Sequence, residues 1–326
     1  MITVLCGGFG AARFLTGLVP LPRVNAELTC VVNTADDLDY EGLHVSPDLD
    51  TVCYALAGRF DEERGWGLVG DTFRNASALR RYGSGWFGVG DEDLATHLRR
   101  TSLLRAGATL TDATAVLSRS LGVSVRVLPM SDDRARTRVI TARGPLSYQE
   151  FLVRHRAQPE VRDVEVEGAE SAKPAPCVVE AVQKADLVVV APSNPVASIA
   201  PILGLPGLAS ALSARLAPTV AVTPVVCGQP PATVPERSRA HVRAAFLATR
   251  GLEHRATSVA RFYGDLVDGF VLDHRDAAER PAIEALGLQV LLADTLAPPA
   301  TRPALAAAVI EFGQSLIPSP ATPGPG

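Results

Sequence analysis

The sequence predicts an α/β protein: a Rossmann-like, mainly parallel sheet with an inserted, more helical subdomain. Three observations carry that reading. Short β-branched apolar runs recur along the chain, each followed by a loop and then a helical stretch. The runs are continuously apolar rather than alternating, as expected of strands buried on both faces between crossover helices. The middle of the chain breaks this rhythm and reads as mostly helical.

The elements follow in order. Residues 2–5 (ITVL) predict the first strand, Cys6-Gly7-Gly8-Phe9-Gly10 a turn, and 11–19 a helix. Residues 28–33 (LTCVVN) predict the second strand. Residues 186–191 (DLVVVA), 220–223, 269–273 and 289–292 continue the series. From about 73 to 121 the pattern is helical, best at 93–105 and 111–121. Residues 123–128 and 138–142 predict a strand pair, and 162–167 alternates like an edge strand. The expected organisation is therefore a Rossmann-like core from 1–60 and 180–317, with 61–179 as the inserted helical subdomain carrying the strand pair. Pro174 and Pro176 punctuate the end of the insert, and the Pro/Gly-rich residues 318–326 are expected to fray.

Composition narrows the function classes. The 326 residues are 47% hydrophobic and 20% charged, enough for a sizeable core and unlike a disordered chain. A net charge of −4 argues against a general nucleic-acid binder. Any phosphate site must then be local, built from backbone amides and a few arginines. No apolar run approaches the length of a membrane-spanning helix. The chain starts at once with an apolar strand, which argues against a signal peptide and for a cytoplasmic location. The five cysteines are widely spaced and form no CxxC, so buried thiols are expected rather than a disulfide framework or zinc site.

Six segments carry candidate chemistry. Gly7, Gly8 and Gly10 end the first strand, where a backbone can approach a ligand and a helix N-terminus offers N–H groups to phosphate. The pattern is GGxG without a Walker lysine, so a structural tight turn is the alternative; Arg13 adds charge to a phosphate site or is a surface charge. After the second strand, Asn33 is followed by Asp36, Asp37, Asp39, Glu41, Asp48 and Asp50. Clustered carboxylates at the C-terminal end of a parallel strand suit Mg²⁺ or ligand hydroxyls, and Asp48 and Asp50 can also cap a helix. Asp71 or Thr72 can cap the next helix. In the helix after Gly90, His97 and Arg100 lie within a turn of each other; Arg100 suits a phosphate clamp and His97 a satisfied structural role. Residues 129–133 (PMSDD) form a polar turn after a strand. Finally, Pro192-Ser193-Asn194-Pro195 ends a buried strand with two fixed polar side chains, as a ligand loop would. No GxSxG and no Cys–His pairing occurs, which favours positioning and metal chemistry over a protein nucleophile.

Eight segments stand in one order: GGxGxARFL at 7–15, NTADDL at 33–38, GLxxSPDLDTV at 42–52, WGLxxDTF at 66–73, GDxDLATH at 90–97, LLRAGATLT at 103–111, LPMSDD at 128–133 and PSNPxxSIxPIL at 192–203. Together they resemble the CofD/FbiA family of 2-phospho-L-lactate transferases of coenzyme F-420 biosynthesis, over nearly the whole chain. The resemblance implies a transferase that moves a phosphoenolpyruvyl or 2-phospho-L-lactyl group from a guanosine-diphosphate-linked donor to the ribityl hydroxyl of the deazaflavin Fo. GMP would leave, and Mg²⁺ would be the ion. It also suggests a homodimer. Under this reading Asp48 and Asp50 meet the ribityl chain and Mg²⁺, one of them serving as base. Asn33, Asp36, Asp37 and His97 complete the acceptor shell. Gly7, Gly8, Gly10, Arg13 and Arg100 bind donor phosphate, and Ser193 and Asn194 hold the guanosine half or its phosphates.

One departure limits the carry-over. Glu92 and Leu94 stand where some archaeal-type members resemble GDRDRATH, so contacts from those arginines do not transfer. The Ala-Arg-Phe-Leu and GDxDLATH forms look more like actinobacterial members, which favours the enolpyruvyl donor. Two rivals remain. A non-enzymatic nucleotide-sugar-binding regulator of the same fold would resemble DDGGSSG after the aspartate pair, where this chain has Leu38-Asp39-Tyr40-Glu41. A nicotinamide-dependent dehydrogenase would want GxGxxG, which is absent.

Overall fold

The computed structural model describes residues 1–21, 27–231 and 233–317; the tail expected to fray lies outside them. Seven parallel strands form the central sheet, in the order β12-β11-β10-β9-β1-β2-β5. They are β1 (Ile2–Cys6), β2 (Leu28–Val32), β5 (Arg126–Pro129), β9 (Leu187–Val190), β10 (Thr219–Val222), β11 (Gly269–Asp273) and β12 (Gln289–Ala293). Every residue of β1, β2, β9, β10 and β11 is buried, which is why these strands read as unbroken apolar runs. Alternate side chains fill the two faces. Leu5, Val31, Val188 and Val190 join one core, while Val4, Cys30, Val32 and Val189 join the other.

Helices cover both faces. Helices α1 (Gly8–Leu18) and α2 (Pro47–Leu56) pack on the second face through Phe14, Leu15, Leu49 and Val52. The intervening residues form a small antiparallel pair, β3 (Leu38–Tyr40) and β4 (Leu43–Val45). The mid-chain helices α3 (Arg74–Arg81), α4 (Asp91–Arg105) and α5 (Leu110–Ser120) agree closely with the helical stretch read from sequence. Later come α6 (Val178–Gln183), α7 (Val234–Ala248) and α8 (Arg302–Ser315). Helix α7 opens with a capping box, in which Thr233 and Glu236 satisfy each other's backbone N–H groups. No single helix among the described residues is long and apolar enough to cross a membrane.

The strand pair expected from 123–128 and 138–142 does not form. β5 lies parallel to β2, with Cys30 opposite Val127 and Val31 opposite Leu128. Its apolar side chains divide between the two cores, Val127 joining one and Leu128 the other. β6 (Arg136–Thr141) instead pairs antiparallel with β7 (Gly144–Ser147) and β8 (Val161–Glu167), and β8 is an edge as its alternation suggests. The segment 61–179 therefore contributes helices, then a strand of the main sheet, then this three-stranded sheet.

Strand order fixes where a ligand can sit. From β1 the chain builds outward through β2 and β5 on one side, and through β9 to β12 on the other. The connections after β1 and β9 thus diverge to opposite faces and leave a crevice at their C-terminal ends.

Candidate active site

A cavity of about 470 Å³ occupies that crevice. It is lined by the turns that follow the sheet strands: Gly7, Gly8 and Gly10 after β1, Asp36 after β2, Ser193 and Asn194 after β9, and Thr223 after β10. The volume suits one sizeable ligand or two small ones.

One wall is acidic. Asp48, in the first turn of α2, is 7% exposed. Asn33 donates from Nδ2 to its Oδ2 at 3.0 Å, and Ser198 and the Gly8 N–H also bond to it. Asn33 is itself held, since its Oδ1 accepts the Ala35 N–H at 3.0 Å. Burial, with the Asp37 charge adding, pushes the Asp48 carboxyl up to about 7. Asp36 is pushed well above its ordinary value by burial and by Asp48, and its Oδ1 is buried without a hydrogen-bond partner.

The glycines serve this wall. A Cβ on Gly7 would lie 2.3 Å from Asp48 Oδ2, and one on Gly10 would lie 2.0 Å from the Pro192 carbonyl oxygen. Gly8 takes φ +69°, in the left-handed region. The Gly7 N–H donates to Ser193 Oγ at 3.1 Å, which ties the β1 and β9 turns together. Two of the amides expected to cradle phosphate are therefore engaged by Ser193 and Asp48. Asn194 also lines the cavity, with its Oδ1 capping the Val196 and Ala197 N–H groups at 3.0 and 3.2 Å.

Asp50 is in a different situation. Arg100 grips it with both terminal nitrogens, one at 3.1 Å, and Arg100 is only 2% exposed. Against the cost of burial, Asp50 raises the Arg100 guanidinium above its usual value. His97 lies between Asp50 and Asp93 at 3.5 Å from each, and Tyr54 donates to Asp93 at 2.7 Å. The acceptor-shell residue His97 reaches the cavity, but Arg100 stands behind Asp50 and does not line it. The phosphate clamp expected of Arg100 is therefore corrected to a buried structural cation. The two aspartates expected to bind metal have different neighbours. Asp50 groups with Asp93 and His97 within 4.8 Å, and Asp48 is outside that group. Asn33 and Asp37 likewise do not line the cavity. Asn33 orients Asp48, while Asp37 accepts from His44 Nε2 and Ser46 Oγ, both at 2.9 Å.

Other motif residues prove to be scaffolding. Asp71 accepts the N–H groups of Glu92 and Asp93 at 2.9 and 3.0 Å, capping α4 rather than the nearer helix. Asp91 reciprocally accepts those of Arg74 and Asn75 at 3.1 and 2.9 Å, capping α3. Asp132 accepts the Thr111 N–H at 2.7 Å, fixing the start of α5.

The other wall is cationic, and much of it escaped the sequence reading. Arg13 lines the cavity as expected, paired with Glu236 at 3.4 Å. Arg239 and Arg243 from α7 join it, together with Tyr148 and the exposed indole of Trp66, and Ser198 was missed on the Asp48 side. Ser198 lies inside the PSNPxxSIxPIL segment, which was its only signal.

The chain is similar to known proteins over most of its length. Residues 2–290 match the family model described as 2-phospho-L-lactate transferase CofD. A phosphoenolpyruvate transferase of Kitasatospora aureofaciens is 42% identical over 294 residues, covering 88% of this chain and 89% of its own. Another from Thermobifida fusca is 41% identical over 97% of this chain and 98% of its own. A 2-phospho-L-lactate transferase of Methanosarcina mazei is 39% identical over 90% and 93%. Among solved structures, a UPF0052 family member from Bacillus halodurans superposes with a TM-score of 0.64 at 18% identity, over 95% of this chain and 98% of that one, a likeness of fold. Match to the family model over most of the length, with relatives near full coverage, means that the chain belongs to the 2-phospho-L-lactate transferase CofD family.

Proposed function

We propose that this protein transfers a phosphoenolpyruvyl group from a guanosine-diphosphate-linked donor to the terminal ribityl hydroxyl of Fo, releasing GMP, in coenzyme F-420 biosynthesis. The observation that carries the reading is the cleft at the β1/β9 divergence, with buried carboxylates on one wall and arginines on the other. Phosphoryl-group transfer needs in-line positioning and charge neutralisation more than a protein nucleophile. The enolpyruvyl donor is preferred to the lactyl one because relatives named phosphoenolpyruvate transferase reach 42% identity.

The residues divide the work. Asp48 and Asp36 meet the ribityl hydroxyl, and the raised Asp48 carboxyl is matched to accepting its proton near neutral pH. The hydroxyl oxygen attacks the phosphorus that bears the enolpyruvyl group. The bond from that phosphorus to the bridging oxygen breaks, and GMP leaves with that oxygen. Trp66 and Phe87 offer flat apolar surface for the deazaflavin rings. Mg²⁺ fits the acid wall, because Asp36 has an orphaned buried oxygen and repels Asp48. Asp36 would hold the ion beside Asp48, and the ion when bound would neutralise phosphate charge.

A product assay tests the reading. The protein is mixed with Fo, Mg²⁺ and equal amounts of the enolpyruvyl and lactyl donors, and products are resolved by mass spectrometry. The expected result is an Fo phosphodiester with GMP, predominantly the enolpyruvyl form. Folded protein that yields no phosphodiester with either donor would overturn it.

A further inference from the structure

Resting on that reading, we infer that Arg239 and Arg243 form the subsite that holds the diphosphate of the nucleotide donor. The two residues lie one turn apart on α7 and both line the cleft. Among the described residues, neither has a carboxylate within 4.0 Å. The neighbouring cleft arginines differ: Arg13 is paired with Glu236, and Arg302 grips Glu62 with both terminal nitrogens, one at 2.6 Å. Two like charges at this spacing repel, and half-burial strengthens the repulsion. A bound dianion relieves it.

Both side chains are pre-set. Arg239 donates from Nη2 to the Gly65 carbonyl at 2.7 Å and lies 4.3 Å over the Phe9 ring, while its Nη1 is buried without a partner. Arg243 donates from Nε to His254 Nε2 at 3.2 Å. Burial, with Arg243 adding, holds His254 down to about 4, so this histidine is a neutral acceptor at pH 7. It orients the guanidinium and adds no charge. Burial also draws Arg243 down to about 10, with Arg239 acting in the same direction. Planar guanidinium forks match phosphate oxygens in pairs.

The rest of the cleft favours this placement. The Gly7 and Gly8 N–H groups, the alternative phosphate cradle, already serve Ser193 and Asp48. Tyr148 lines the cleft and feels both walls: burial, then Asp36 and Asp48, raise its hydroxyl, while Arg239 and Arg243 oppose them. A diphosphate on the arginine pair therefore shares one cleft with the carboxylates that receive the acceptor's proton.

Calorimetric titration of the full chain with inorganic pyrophosphate, GDP and guanosine tests the assignment, using Arg239→Met, Arg243→Met and the two Lys replacements. Thermal melting verifies that each variant is folded. Either Met variant should weaken pyrophosphate and GDP binding by at least about tenfold and leave guanosine unchanged. The Lys variants should recover part of the loss, because charge returns without the fork. Pyrophosphate affinity within about twofold of the parent in the folded variants would overturn the subsite. The two readings fail separately. If no phosphodiester forms yet pyrophosphate binding depends on the pair, the subsite stands without the transferase. If product forms while pyrophosphate ignores both arginines, the subsite alone falls.

Discussion

Asp48 and Asp50 stand two residues apart on the first turn of α2, at 7% and 5% exposure. In sequence they are near equivalents, and their surroundings separate them. Asp50 has a bidentate guanidinium, an imidazole and a short chain of partners through Asp93 to Tyr54. Burial still holds its carboxyl above the ordinary value, and Arg100 and His97 oppose that rise. Asp48 has neutral donors only, in Asn33, Ser198 and the Gly8 amide, and it faces Asp36 and Asp37. Burial therefore leaves it poised near neutrality. The comparison teaches that a buried carboxylate with its own cation stabilises a fold, while one left with neutral donors beside a cavity is available for chemistry.

The comparison can be broken most forcefully from the Asp50 side. Arg100→Met leaves Asp50 buried with only the His97 imidazole beside it and should cost about 3–5 kcal/mol of unfolding free energy. Denaturant unfolding at pH 7 measures it. A loss under about 1 kcal/mol would mean that the pair is not the anchor described.

A smaller effect of opposite sign is expected from the Asp48 side. An unfolded aspartate titrates near 3.9, and Asp48 in the fold titrates near 7. Between those values the folded state holds the extra proton, so stability falls as pH rises through that window and is level above it. Asp48→Asn removes this penalty. In chelator-treated protein the variant should melt on the order of 5 °C above the parent at pH 8, with the gain vanishing near pH 4. Melting curves across that range check both the sign and the window.

Legibility in the sequence followed locality. Strands β1, β2, β9, β10 and β11 are continuous apolar runs because both faces are buried, and that signal is carried within each strand. β5 was misassigned because its partner, β2, is nearly a hundred residues away, whereas residues 138–142 lie close by in the chain. The acid wall was legible as a cluster after the second strand. The division of labour within it was not, since Arg100 reaches Asp50 only through the packing of α4 on α2. Arg239 and Arg243 lie in no segment that the sequence reading singled out. Only the fold carries α7 to the cleft, where its Glu236 pairs at 3.4 Å with Arg13, 223 residues earlier in the chain. The caps Asp71 and Asp91 exchange helices for the same reason.

The most direct test is the turnover of Asp48→Asn beside Asp50→Asn in the product assay, each corrected for the folded fraction. The account predicts that Asp48→Asn loses at least about a hundredfold while remaining folded, and that folded Asp50→Asn stays within about tenfold of the parent. Near-parental turnover of Asp48→Asn, or an equal loss in both variants, would contradict the claim that the chemistry belongs to the Asp48 wall.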